Sequence, residues 1–309
     1  MVSRLHLFII TALSLLLTSI ILVTYTQQRE QEFIAHQLAI QEAMVEGAAR
    51  DISYRLENQI RHVRLFNDEY RQLISHLAYY PDDKSTEEII DTRLRQRFPS
   101  VSSFSITSAT GTPVLDDSKA RVGKICKRDI SSFSTEVSRL SDSNEVTNTI
   151  FIHPQAGNHH YDVMAYIKDS NPDRNIFFVS FNPKPIQNIL RSRKIPGHQL
   201  MLTRLHDDSL IEISAAGTRD NMGRDRRLSK EELLTVKTSR EIPNTDWVMI
   251  DLKDPAYEQA YINKLWKESA GILLIFAIAN LIIFLLFSAR IRNSEKAKIK
   301  AYPWYRGKL

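Results

Sequence analysis

The sequence predicts an α+β fold in which two transmembrane helices bracket a long helix and a set of antiparallel sheets. Residues 5–25 and 269–288 contain no Asp, Glu, Lys or Arg and are rich in Leu, Ile and Phe. Each run is long enough to cross a bilayer, which takes about 20 apolar residues in a helix. Residues 27–80 repeat apolar side chains at helical intervals. Between residues 101 and 252, short apolar stretches separated by turn residues indicate strands.

The long helix carries one apolar stripe, in which successive apolar residues are always three or four positions apart. This spacing is that of an α-helix and is close to the heptad repeat of coiled coils. The stripe could therefore face its own domain, a second copy of the chain in a homodimer, or each in turn. Its members are Val45, Ala49, Ile52, Leu56, Ile60, Val63, Phe66, Tyr70, Leu73 and Leu77.

The charges that flank the apolar runs predict the topology. Residues 289–309 are strongly basic, and by the positive-inside rule this tail lies in the cytoplasm. Two spans place the N-terminus there as well, so residues 26–268 are extracytoplasmic, as in a periplasmic domain anchored in a bacterial inner membrane. The alternative is that the first run is a cleaved signal peptide. However, its apolar stretch is longer than a typical signal core, and no convincing cleavage site follows.

Composition excludes several other classes of protein. The chain has 309 residues and a net charge of +5, much of it from the basic tail, so membrane topology explains the charge better than nucleic-acid binding does. Cys126 is the only cysteine, so no intramolecular disulfide can form and the fold depends on core packing. We therefore expect no nucleic-acid partner.

The extracytoplasmic region reads as two α+β modules. A helix over 85–97 precedes a β-hairpin over 101–117, a helix over 130–140, and strands over 148–152, 161–167 and 175–181. A short helix at 185–193 and Pro196-Gly197 mark a boundary. The strands at 200–205, 210–213 and 247–252 then form a smaller module. The predicted segments are residues 1–26 (stub and first span), 27–80 (long helix), 81–195 (membrane-distal module), 196–268 (membrane-proximal module), 269–288 (second span) and 289–309 (short basic cytoplasmic tail).

Three passages carry a resemblance to the Cache family of extracytoplasmic sensors. They are FSITSATGTPVLDDS (104–118), NIFFVSFNPKPIQNIL (175–190) and IPNTDWVMIDL (242–252). They resemble the first hairpin, the last distal strand with its following helix, and the final strand of the double-Cache type. The resemblance covers nearly the whole extracytoplasmic region. It implies PAS-like sheets and a ligand-binding input domain.

Such input domains are usually attached to a histidine kinase, a chemoreceptor, or a diguanylate cyclase or phosphodiesterase. The 21-residue tail is too short for these outputs. We therefore expect a separate cytoplasmic or membrane output protein as a partner, or a sequence that is the sensing half of a longer product. A truncation or frameshift is the alternative explanation of the short tail.

The resemblance also implies where a ligand would bind. In the distal module it would lie between the sheet and the helical segment that crosses it, with Arg128, Tyr161, Tyr166 and Asp169 as the candidate ligand-binding residues. The guanidinium could hold a carboxylate, and the hydroxyls and the acid could hold the rest of a zwitterion. The alternative for each residue is an ordinary surface or core role. The arginine-x-tryptophan-tyrosine signature of amino-acid-binding members is absent, so amino-acid sensing is not predicted.

Other chemistry lacks support in the sequence. His153, His159 and His160 are close together, but they surround a polar turn and are better read as exposed residues than as metal ligands. Asp116 and Asp117 have no evident catalytic partner, and no glycine-rich phosphate loop occurs. The basic loop at 217–230 is balanced by acids and reads as a solvated surface. We predict no metal, no cofactor and no enzyme.

Two functions remain in competition. The first is a membrane-anchored extracytoplasmic sensor that binds a small ligand and transmits a conformational signal, with no output domain on this chain. The second is a periplasmic docking protein that binds a protein partner and no small molecule.

Overall fold

A computed structural model describes residues 4–115, 124–140, 150–152, 159–168 and 175–301. The chain divides into two compact units. The first unit comprises the residues up to Ala39 together with those from Pro255 onward, and the second comprises Ile40–Asp254. The α+β class and the antiparallel sheets predicted from the sequence are confirmed.

The helices and strands have the following bounds. The helices are α1 (Arg4–Glu69), α2 (Arg71–Tyr79), α3 (Lys84–Arg97), α4 (Lys124–Leu140), α5 (Lys184–Ser192), α6 (Lys230–Thr235) and α7 (Pro255–Ala301). The strands are β1 (Val101–Thr107), β2 (Phe151–Ile152), β3 (Tyr161–Tyr166), β4 (Ile176–Phe181), β5 (His198–Arg204), β6 (Asp207–Ser214), β7 (Ser239–Glu241) and β8 (Trp247–Lys253).

The first unit contains two helices long and apolar enough to cross a membrane. Within it, the start of α1 runs antiparallel to α7, as pairs of contacting residues show. The Phe8 and Phe284 rings meet edge to face, and the Thr26 and Ser269 hydroxyl oxygens lie 2.6 Å apart. Farther along, the Phe33 ring stacks on Tyr261 with centroids 3.9 Å apart. The first part of α1 and α7 therefore form one helical pair.

The second unit contains two four-stranded antiparallel sheets. The first sheet has the order β1-β4-β3-β2, and the second has the order β6-β5-β8-β7. In β3, Tyr161, Val163 and Ala165 belong to the main core, whereas Met164 packs with α4 residues in a separate cluster. This alternation follows from the period of two in a strand.

The apolar stripe of α1 faces its own domain. Seven of its members from Val45 to Phe66 are at most 4 % exposed, and they share one core with residues of both sheets. On the described part of α1 in this unit, Tyr54 and Leu65 are instead 67 % and 49 % exposed. A homodimer through α1 remains a prediction, but these positions of the stripe are already occupied by the chain's own sheets.

Several element boundaries differ from the sequence prediction, among them the start of α4 at Lys124 rather than residue 130. The long helix is interrupted at Tyr70, where α1 gives way to α2. Helix α3 begins at Lys84, and its N-cap is Asp83, whose carboxylate accepts hydrogen bonds from the Ser85 and Thr86 amides. In the described part of the predicted hairpin at 101–117, Thr107 and Pro113 form a bridge, and the Val114 amide donates to the Ile106 carbonyl at 2.8 Å. Residues 116–117 lie outside the described residues. Strand β1 also pairs with β4.

Candidate functional site

A cavity of 660 Å³ lies where the two sheets of the second unit approach each other. This volume is within the range of small-molecule sites. Its walls come from α4, from residues 150–152 at β2, from the end of β5 with the following turn, and from the turn before β8. The lining residues are Arg128, Asp129, Ile150, Phe151, Ile152, Arg204, His206, Asn244, Thr245 and Asp246. We call it the inter-sheet cavity.

Local structure holds these side chains in place. Helix α4 packs Ile130 and Phe133 against the outer face of the first sheet, which directs the start of the helix to the cavity. Asn244 has a positive φ of 61°, a conformation that asparagine tolerates in turns. Its carbonyl accepts a hydrogen bond of 2.9 Å from the Ile150 amide, which ties the two sheets together at the cavity wall.

Of the four candidate residues from the sequence, Arg128 lines the cavity. Its side chain is 73 % exposed and lies 3.4 Å from the Asp129 carboxylate. Tyr161 lies in the main core, where its hydroxyl donates to Gln59 of α1 at 2.8 Å. Tyr166 is exposed at the far end of β3 and is not among the lining residues. Asp169 lies outside the described residues. The structure therefore brings Arg128 to the cavity and places the two tyrosines elsewhere.

Two acidic groups beside the cavity have pKa values above those of ordinary carboxyl groups. Burial raises the pKa of Asp129, Arg128 opposes this rise, and the nearby Asp246 carboxylate adds to it. Next to it, burial raises the pKa of Asp162 to about 8, and the Asp129 charge contributes to the rise. Asp162 accepts a hydrogen bond of 2.7 Å from the Ser180 hydroxyl. A positively charged group entering the cavity would stabilise the ionised form of Asp129.

Behind the cavity lies a buried group of ionisable residues centred on Glu212, which is fully buried on β6. Its carboxylate is 3.1 Å from Arg219, 3.5 Å from Arg204 and 3.0 Å from the ring of His159. His159 directly precedes β3 of the first sheet, and its amide donates to Asp220 at 2.6 Å. We call Glu212, Arg219, Arg204 and His159 the Glu212 cluster. It joins the first sheet to the second.

Most residues of the inter-sheet cavity and of the Glu212 cluster are not among the site residues predicted from the sequence. Asp246 and Asn244 belong to a Pro-Asn-Thr-Asp turn, a recognisable signal for a turn but not for a site. Glu212 is an acid inside an apolar strand, which could have indicated a buried ion pair. His159 is buried beside Glu212, contrary to the expectation that it is exposed. Within the described ranges, no group of three or more potential ligands could hold a metal ion.

Comparisons with known proteins give structural neighbours only. No protein-family model matches the chain, and no curated protein does. Its structural neighbours are sensor domains. The chain is similar to the extracellular domain of a histidine kinase, with 15 % identity, a TM-score of 0.41, and coverage of 72 % of this chain and 96 % of the other.

Two further neighbours are ligand-binding and periplasmic domains from named bacteria. One is the ligand-binding domain of the Pseudomonas aeruginosa amino-acid chemoreceptor PctC in complex with GABA, at 14 % identity and a TM-score of 0.40, covering 67 % of this chain and 94 % of that chain. The other is the periplasmic domain of Vibrio cholerae LuxQ, at 13 % identity and a TM-score of 0.41, covering 68 % and 100 %. They are sensor and ligand-binding domains rather than catalytic ones, the class of protein that the sequence resembles.

Proposed function

We propose that this chain is a membrane-anchored extracytoplasmic sensor of the double-Cache type, which receives a small ligand in the inter-sheet cavity. The observation that carries the proposal is the cavity itself. It is large enough for a small molecule, and it is lined by oppositely charged side chains, Arg128 and Asp129 from α4 and Arg204 and Asp246 from the second-sheet side. A ligand that contacts both walls changes the relative free energies of the arrangements that those walls can adopt.

The course of α1 supports a role in transmission. Its stripe is buried in the core shared by both sheets, and the same helix continues without interruption back to Arg4. We propose that residues 5–25 and 269–288 cross the membrane, that both termini are cytoplasmic and that residues 26–268 are extracytoplasmic. The proposed segments are those given by the sequence: a distal module at 81–195 and a proximal module at 196–268. The signal then passes to a separate output protein or an output domain.

The charges favour a ligand with a charged group. The Arg128 side chain on α4 is mostly exposed, so an anion can reach it without breaking a buried contact. Asp129 and Asp246 provide the opposite charge on the same cavity. We therefore propose Arg128 as a ligand-binding residue and include both acids and amines among the compounds to be tested.

The test is a thermal-shift screen of the full chain in detergent against organic acids, amines, amino acids, purines and divalent metals. A compound that binds the folded state raises its melting temperature. We expect a saturable thermal shift in the wild type. Arg128→Ala should bind the same compound with about tenfold lower affinity, the loss expected for one charge-assisted hydrogen bond. Arg50→Ala is the matched control, because Arg50 is 76 % exposed and lies 3.4 Å from its own acidic neighbour.

A flat screen over a folded sample would contradict the sensor and favour the docking protein. Equal affinities for the Arg128→Ala variant and the wild type would exclude Arg128 as a ligand-binding residue while leaving the sensor in place.

A further inference from the structure

We infer that Arg204 couples the inter-sheet cavity to the Glu212 cluster, so that an anionic group bound in the cavity changes how firmly the two sheets are joined. This inference rests on the proposed function for its ligand, but the coupling itself can be tested without one. It assigns to the site a ligand with a carboxylate or a similar anionic group.

Arg204 is placed for this role because its side chain contacts residues of both sheets. It lines the cavity, and its side chain is largely buried. One terminal nitrogen donates to the Ile152 carbonyl of the first sheet at 3.3 Å. Its Nε lies 3.5 Å from the Glu212 carboxylate of the second sheet and makes no hydrogen bond within the described residues. Its contacts are therefore long, and a ligand anion could compete for them.

The Glu212 cluster would respond to the loss of Arg204. Glu212 is fully buried, so each cation near it offsets part of the cost of a buried charge. If a ligand anion draws Arg204 into the cavity, the side chains of Arg219 and His159 remain as the partners of the Glu212 carboxylate among the described residues. The Ile152 carbonyl loses its partner in the same step. Both changes remove contacts between the two sheets, close to the hydrogen bond from the Ile150 amide to the Asn244 carbonyl.

The experiment is hydrogen exchange on the full chain in nanodiscs, with the amides of residues 150–152 and 159–161 as the readout. We expect Glu212→Gln to raise the exchange of these first-sheet amides by about tenfold, although the mutated residue lies in the second sheet. Arg227→Gln is the control, because Arg227 binds Asp207 of the second sheet and neither residue belongs to the Glu212 cluster. A change confined to the second sheet in Glu212→Gln would overturn the inference.

The ligand arm uses acetate as the probe, against chloride at equal ionic strength. We expect acetate to raise the same exchange rates saturably in the wild type and to have no effect in Arg204→Gln. An equal response of the two proteins, or none in the wild type, would overturn the role of Arg204. A failed compound screen with a positive Glu212→Gln result would instead contradict the proposed ligand function alone.

Discussion

Replacing Asp162 by asparagine is expected to flatten the pH dependence of stability. Asp162 is buried under α4, and burial raises its pKa from an ordinary value of 3.8 to about 8. Between these two values the unfolded chain has lost the proton while the folded protein keeps it. The unfolded state then binds fewer protons, so stability falls as pH rises, and this loss is complete above pH 8.

The size of the effect follows from the shift. Each pH unit in this interval costs about 1.4 kcal/mol per proton, so raising the pH from 5 to 8 lowers wild-type stability by about 4 kcal/mol at most through this residue. Asparagine has no such proton, and its Oδ1 can still accept the Ser180 hydroxyl at the same place. The free energy of unfolding of Asp162→Asn, relative to that of the wild type, should therefore increase as pH rises.

The assay is urea unfolding of the full chain in a mild detergent at several pH values, followed by the fluorescence of the buried Trp247. Asp207→Asn is a control of opposite sign, since its hydrogen bond with Arg227 holds the pKa of Asp207 below the ordinary value. Identical pH slopes for the wild type and Asp162→Asn would refute the reasoning.

Two further predictions concern the core. Ile52→Ala should lower the free energy of unfolding by about 2–5 kcal/mol because it opens a cavity beneath both sheets, whereas Tyr54→Ala on the exposed side should change it by about 0.5 kcal/mol at most; equal effects in urea unfolding would contradict the orientation of the stripe. His198→Ala should cost about 3 kcal/mol or more, since it leaves the fully buried Asp251 carboxylate without the ring nitrogen that lies 2.6 Å away. Asp251→Asn should recover part of that loss when combined with it, and strictly additive effects would show that the two residues do not interact.

The features that the sequence predicts well are those fixed by local periodicity. The stripe from Val45 to Phe66 identifies the buried face of α1 because a helix repeats every 3.6 residues. The strands at Tyr161–Tyr166 and Ile176–Phe181 follow in the same way from short apolar runs between turn signals.

The site is less predictable because it depends on register and on contacts between distant residues. In β3, Tyr161 faces α1 and Asp162 faces α4, and a shift of one residue would exchange these roles. The pairing of Glu212 with His159 joins residues far apart in the chain, and nothing in either local sequence specifies it. Arg128 could be selected from the sequence because a resemblance pointed to its segment.

The central claim is that a bound ligand alters the helical pair formed by the first part of α1 and α7. Cross-linking tests this claim directly. Thr26→Cys and Ser269→Cys, in a chain whose single native Cys126 is replaced by serine, would form a disulfide because their hydroxyl oxygens lie 2.6 Å apart. The account predicts that a compound giving a saturable thermal shift changes the rate of this cross-link in the full chain in nanodiscs. A rate unaffected by saturating compound would contradict it.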